Sequence, residues 1–265
     1  MFSPAILLGG GSLDDPLFKP WRAAVKAAGG VFVNSPKPYN TMLKALRAYG
    51  LLPKIDCLWL FTAGAPAYPQ PALVDLISRR VATPFNTPTL TAKRGYAGDG
   101  SSSGLDLGWI GGTHGVAYTL ASGHLATYNR TARTDAATVR SCGTYNGGTG
   151  YSGLHTRRTS AFAAAINDTT SVSGTVADAS GIWLGNRLAG TLTMYRDGAS
   201  VASGAVATTG LITTKMYVCC FNNNGTAAEF STDQHALFVA GGGLTSGEAA
   251  TETSIFRACM DEVGA

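Results

Sequence analysis

Apolar and polar positions change their rhythm twice along the 265 residues. In the first fifth they follow a helical period. Phe18, Trp21, Val25 and Ala28 recur every three or four residues behind Asp15-Pro16, and Gly29-Gly30 stops the run. Tyr39, Met42, Leu43 and Leu46 repeat the pattern behind Ser35-Pro36, and Gly50 closes it. Asp15 reads as the first N-cap, with a proline in the first turn. Leu51 to Phe61 then forms a strongly apolar, buried segment. Residues 62–88, punctuated by Pro66, Pro69, Pro71, Pro84 and Pro88, read as a wandering connection with one helical piece at 72–78.

From about Thr89 the period falls to two. Strands are predicted over 115–128, 138–144, 152–157, 161–167, 171–177, 181–186, 215–221 and 235–240, at the 8–12-residue spacing of a sandwich or barrel. The clearest piece is Thr191 to Ser203. Two β-prone runs flank Asp197-Gly198, a dipeptide that accepts the two positive φ angles of a type I′ hairpin. Leu192, Met194 and Val201 alternate there with Thr193, Tyr195 and Ser200, which predicts one buried face. After Gly241-Gly242-Gly243 the pattern becomes helical again. Thr245-Ser246-Gly247-Glu248 is a capping box, and Ile255, Phe256, Cys259, Met260 and Val263 form the apolar face of a terminal helix.

Composition agrees with a turn-rich all-β chain: 34 glycines, only 14% charged residues, and enough apolar residues (45%) for a core. The +4 net charge is scattered rather than concentrated, which argues against nucleic acid as a partner. The five cysteines make no C-x-x-C pair and read as small buried hydrophobes of a reducing compartment. The start carries neither a signal peptide nor a membrane span. Its glycines, Gly9-Gly10-Gly11, match no phosphate-loop pattern and read as a flexible arm.

The order of the helical pair, Gly95-Tyr96-Ala97-Gly98-Asp99-Gly100, the Tyr195-Arg196-Asp197-Gly198 hairpin, Asn222-Asn223-Asn224-Gly225, and Phe238 to Thr245 leading into the last helix resembles the concanavalin A-like (laminin-G-like) jelly-roll module of tailed-phage and prophage virion proteins. The resemblance covers nearly the whole chain. It implies a mainly β fold, an antiparallel two-sheet jelly-roll sandwich with a small helical N-terminal region and a C-terminal helix. It divides the chain into an arm and helical region (1–62), a connection (63–88) and the sandwich with its helix (89–265), so a chain lacking residues 1–62 is expected to remain a soluble sandwich. It also implies a structural protein on the head or tail surface of a virion, made in the host cytoplasm, homo-oligomeric, bound to other virion proteins and in contact with host-surface polysaccharide. An adhesin that binds host carbohydrate is the alternative, and a glycan hydrolase a third.

Catalysis is not expected from the residues. A glycosidase needs two carboxylates flanking the bond. The four glutamates, Glu229, Glu248, Glu252 and Glu262, form no such pattern, and the aspartates sit mostly in turns. His114, His124, His155 and His235 are too dispersed for a metal, no G-x-S-x-G occurs, and no cofactor is implied. Glycan binding asks only for aromatic platforms beside amides and hydroxyls on exposed loops. The Cys142 to Tyr151 segment fits, with Tyr145, Asn146 and Tyr151. Trp183, Asn222 and Asn223 are placed near it as further candidates. The two tyrosines would equally serve to cover the sandwich edge.

Overall fold

The computed structural model describes residues 14–148 and 150–264. The glycine-rich start expected as an arm lies almost wholly outside them. In chain order, helices α1 (Phe18–Ala27) and α2 (Lys37–Ala48) precede strand β1 (Ile55–Leu60) and a short helix α3 (Gln70–Leu73). Strands β2 (Thr83–Phe85), β3 (Thr89–Thr91), β4 (Gly95–Ala97) and β5 (Gly104–Asp106) follow, then the helical turn α4 (Gly111–His114). The long run comprises β6 (Ser122–Asn129), β7 (Cys142–Tyr145), β8 (Tyr151–Arg158), β9 (Ala161–Ile166), β10 (Val172–Thr175), β11 (Gly181–Leu188), β12 (Thr191–Arg196) and β13 (Ala199–Ala205). It ends with β14 (Tyr217–Val218), β15 (Phe221–Asn223), β16 (Thr226–Ala228), β17 (Gln234–Gly241) and helix α5 (Ser246–Val263).

These strands form two sheets of a jelly-roll sandwich, and helices add a third layer. The middle sheet runs β13-β12-β11-β6-β17-β4-β3, with β1 also paired to β17. The outer sheet runs β10-β9-β8-β7-β14-β5-β2, with the β15–β16 hairpin joined to β7. All pairings are antiparallel except β15 with β7. Successive side chains of a strand point to opposite faces, and in the central strands of the middle sheet, β1, β6, β11 and β17, both faces are dry. In β1, Cys57 and Trp59 enter the core between the sheets, whereas Ile55, Leu58 and Leu60 enter a second core beneath the helices. In β11, Trp183 faces the outer sheet and Ile182 and Leu184 face the helices. The second core takes Phe18, Trp21 and Val25 from α1, Met42, Leu43 and Leu46 from α2, and Ile255, Phe256 and Met260 from α5. Double burial is why β1 and β17 read as unbroken apolar runs rather than alternating ones.

The Asp197-Gly198 turn is of the expected kind, with φ of 50° and 84°. Two details differ from expectation. Tyr195 is buried, because α5 covers the face it points to. Val201 is instead exposed, because a bulge places Met194 opposite Ala202 and Tyr195 opposite Ser200, leaving Val201 as the unpaired residue. Other expectations are also corrected. The 215–221 strand is split, since Cys219 takes a left-handed φ of 66° and the chain reverses into β15. The strand predicted from 115 begins at Ser122. The piece at 72–78 is helical only through Leu73, because the buried Asp75 carboxylate accepts from the N–H groups of Leu58, Ile77 and Ser78 and holds a turn. Asp15 caps the turn ahead of α1, accepting from the Leu17 N–H at 2.9 Å, and its carboxylate is paired with Arg47 at 2.7 Å. The capping box at Thr245 and Glu248 is complete, and all five cysteines are buried thiols. No described helix is long and apolar enough to cross a membrane.

The sandwich therefore starts before residue 89. Strand β1 is paired along β17, with Leu58 opposite Val239 and Leu60 opposite Leu237. Removing residues 1–62 takes away this strand and two of the three helices that dry the second core, leaving a bare apolar face. Such a truncated chain is expected to aggregate or to lose cooperative thermal unfolding, while the full chain unfolds in one transition; size-exclusion chromatography and a thermal melt decide. Trp183→Ala, which opens the inter-sheet core, is expected to cost about 3–5 kcal/mol by urea unfolding.

Candidate glycan-binding face on the outer sheet

Strands β7 and β8 form a hairpin in which Tyr145 and Tyr151 are direct cross-strand partners. Their rings meet edge to face, with centroids 6.5 Å apart. Ser152 and Leu154 point into the sandwich, where Ser152 meets the buried Tyr118 hydroxyl at 2.7 Å. By alternation, Tyr151, Gly153 and His155 lie on the outer face. Gly143 lies opposite Gly153, and these two glycines make a flat floor on which the Phe221 ring rests. A Cβ at Gly143 would sit 2.9 Å from that ring. Phe221 arrives there because of the reversal at Cys219, and it meets Tyr151 edge to face at 5.7 Å.

Arg140 completes the stack. Its guanidinium lies 4.0 Å from the Phe221 ring centre and 4.9 Å from that of Tyr151. Its Nε donates to Glu229 Oε2 at 2.6 Å, and it also donates to the Tyr151 hydroxyl. The Arg140 and Glu229 backbones are joined as well, N–H to carbonyl at 2.9 Å. Burial raises the Tyr151 phenol above its usual pKa despite Arg140, so it is protonated at neutral pH. The guanidinium is thus fixed in charge, geometry and stacking. Beside it opens a cavity of about 250 Å³ lined by Arg140, Tyr145, Tyr151, Thr169 and Phe221.

The six residues singled out in the sequence fare differently. Tyr145 and Tyr151 line the cavity. Asn146 closes the hairpin loop, its Oδ1 accepting from the Gly150 N–H at 2.8 Å and its Nδ2 donating to Thr213 at 3.2 Å. Asn223 is exposed and pairs with Tyr145 along β15. Asn222 is buried, accepting from the Gly225 N–H at 2.7 Å and donating to the Lys215 carbonyl at 2.8 Å; it shapes the Asn224-Gly225 turn, whose φ angles are 51° and 95°. Trp183 is misplaced by the sequence reading. It is fully buried between the sheets, packed 4.4 Å from Phe162 with its indole N–H donated to the Ala179 carbonyl at 2.7 Å, and no ligand on the surface can touch it. Arg140, Thr169, Phe221 and Glu229 were missed. Arg140 lies in a polar stretch without periodicity, and Phe221 reaches the site only through the reversal.

The chain matches no family model and no curated protein. Solved structures do share its fold. Trypanosoma rangeli sialidase, in complex with the inhibitor DANA, superposes with a TM-score of 0.54 at 14% identity, over 89% of this chain and 37% of that one. A mutant of the same sialidase displaying trans-sialidase activity gives 0.55 at 12%, over 83% and 39%. Domain 4 of AbnA, a GH43 extracellular arabinanase from Geobacillus stearothermophilus in complex with arabinotriose, gives 0.49 at 13%, over 76% and 98%. The chain spans well under half the length of the sialidases. The likeness to the sialidases corrects the expectation of a non-enzyme. That expectation rested on a missing carboxylate pattern, and the chains that share this fold over most of its length are sialidases.

Two histidines make the sandwich acid-sensitive. His155, on the same face as Tyr151, donates Nδ1–H to the Val139 carbonyl at 2.8 Å; burial, and then the Arg140 charge, hold its pKa down to about 3. His235 in β17 is fully buried; it must donate Nδ1–H to Thr127 Oγ1 at 3.0 Å, because that hydroxyl gives its own proton to the Leu237 carbonyl. Burial lowers its pKa to about 4. Unfolded, both would titrate near 6.5. Below that pH the unfolded chain takes up protons that the folded chain refuses, so stability falls with acid. Each histidine contributes up to about 1.4 kcal/mol per pH unit between roughly 6.5 and its folded value. The urea midpoint is expected to drop from pH 7 to pH 5, and to drop less in a His155→Gln, His235→Gln variant; an unchanged midpoint in the parent chain would contradict this origin.

Proposed function

We propose that this chain is a carbohydrate-recognising sandwich protein, which takes a saccharide on the outer sheet and is carried on the surface of a phage particle. The observation that carries the first part is the Arg140 stack with Tyr151 and Phe221 beside an open cavity of about 250 Å³. The apolar faces of a sugar ring pack on aromatic rings while its hydroxyls need fixed donors and acceptors. Tyr145 offers a half-exposed ring, and Arg140, Tyr151 and Thr169 offer polar groups around it. The cavity lies just below the size range of sites for drug-sized ligands, which suits one sugar residue of a longer chain. The sialidases that share the fold are carbohydrate-active by name, which agrees with this substrate class. The virion setting, with its homo-oligomer and its virion partners, is supported by the order of modules along the sequence.

A glycan array probed with the full chain should show binding to a restricted set of saccharides. Tyr145→Ala should weaken the best of them about 3–10-fold, the scale of one lost ring contact, with the thermal melt unchanged. No binding to any glycan, or binding indifferent to Tyr145, sinks the reading. Incubating the best ligand with the protein and measuring released reducing ends tells recognition apart from turnover.

A further inference from the structure

A cavity of about 430 Å³ lies away from this face, on the helical layer. It is a groove between one side of α1 and the chain that follows it. Helix α1 ends at a turn in which the Gly29 N–H donates to the Lys26 carbonyl at 3.0 Å and the Gly30 N–H to the Val25 carbonyl at 2.8 Å. The chain doubles back, and Phe32 is pinned edge to face on Trp21 at 5.1 Å. Lys19, Arg22 and Lys26 form one wall, spaced three and four apart on one helix face, and Val31 and Phe32 form the other.

Two features set this groove apart. The first is charge. Residues 14–54 hold seven lysines and arginines against two aspartates, a surplus of five where the whole chain's surplus is four. The positive surplus is thus concentrated on α1, α2 and their connections, whereas α5 carries four acidic residues against one arginine. Arg47 is paired with Asp15 and Lys54 with Glu248, but Lys19, Arg22 and Lys26 are in no ion pair among the described residues and are exposed. The second is exposed apolar surface. Val31 and Val33 are 52% and 47% exposed; Val31 lines the groove with the three cations, and Val33 follows it two residues on.

We propose that this groove docks an acidic, amphipathic segment of a partner protein, its carboxylates paired with Lys19, Arg22 and Lys26 and its apolar side chains covering Val31 and Val33. Charge complementarity selects an acidic partner and steers its approach. The two valines select a peptide over a nucleic acid, whose sugar-phosphate backbone offers them nothing apolar. A second copy meeting the groove through its own groove would bring the same three cations and be repelled.

The test uses the full chain and a fluorescein-labelled peptide with glutamates on one helical face and leucines on the other, followed by fluorescence anisotropy at low salt. Polyglutamate of equal charge and a DNA oligonucleotide serve as comparison probes. The amphipathic peptide should bind tightest. Lys19→Glu, Arg22→Glu and Lys26→Glu together should weaken it by about tenfold or more, and Val31→Ser with Val33→Ser by about threefold or more. Circular dichroism should be unaltered, because all five side chains are exposed. Failure of the native chain to bind the peptide, or binding within about twofold after charge reversal, overturns the proposal. So does equally tight binding of polyglutamate or DNA, which would make the groove a plain polyanion site.

Discussion

The central strands of the middle sheet, β1, β6, β11 and β17, are dry on both faces, and most of the architecture follows from that. A strand buried on two sides needs a cover on each, so the outer sheet alone is not sufficient. The helices α1, α2 and α5 supply the second cover, although α1 and α2 precede all the strands and α5 follows them, and they meet over β1, β6, β11, β12 and β17. The polar groups caught inside have to find partners there. Thr127 and His235 Nδ1 bond one another and the Leu237 carbonyl, and His124 donates Nδ1–H to the Gly242 carbonyl at 2.6 Å. Between β6 and α5 the other nitrogen of His124 faces Glu252 at 3.4 Å, both side chains fully buried, though neither makes a hydrogen bond there among the described residues. Burial raises the pKa of that glutamate.

With the middle sheet covered by helices, the two solvent-facing sides of the molecule have different characters. On the outer sheet Arg140 stacks on two aromatic rings and is paired with Glu229. On the helical layer Lys19, Arg22 and Lys26 are exposed and in no ion pair among the described residues. The first face presents a cation with its counter-ion already in place; the second presents cations without one.

Most of the fold was legible in the sequence because its signals are local. Helix periodicity, the capping box and the Asp197-Gly198 dipeptide each depend on a few neighbouring residues, and each forms as read. What escaped depends on distant contacts. The burial of Tyr195 is decided by α5, more than fifty residues away in sequence. The pairing of Ile55–Leu60 with a strand near the other end of the chain leaves no local trace beyond its apolar character. The candidate site was half legible for the same reason. Tyr145 and Tyr151 are close in sequence and face each other across one hairpin, whereas Phe221 arrives through a left-handed residue at Cys219, a conformation that nothing about cysteine announces. Trp183 was misread because an aromatic residue in a strand says nothing about which face it takes until the register is known.

Strand β17 lies at the centre of the middle sheet, flanked by β6 on one side and by β1 and β4 on the other, yet it is the last strand to be made. A ribosome releases β1, β4 and β6 long before the segment that joins them, so for most of synthesis their edges are unpaired and their apolar faces exposed. Contacts spanning almost the whole chain also close slowly. The nascent chain is thus most vulnerable until residues 234–241 have been made. A chain that stops short of them would leave two half-sheets with no strand between them.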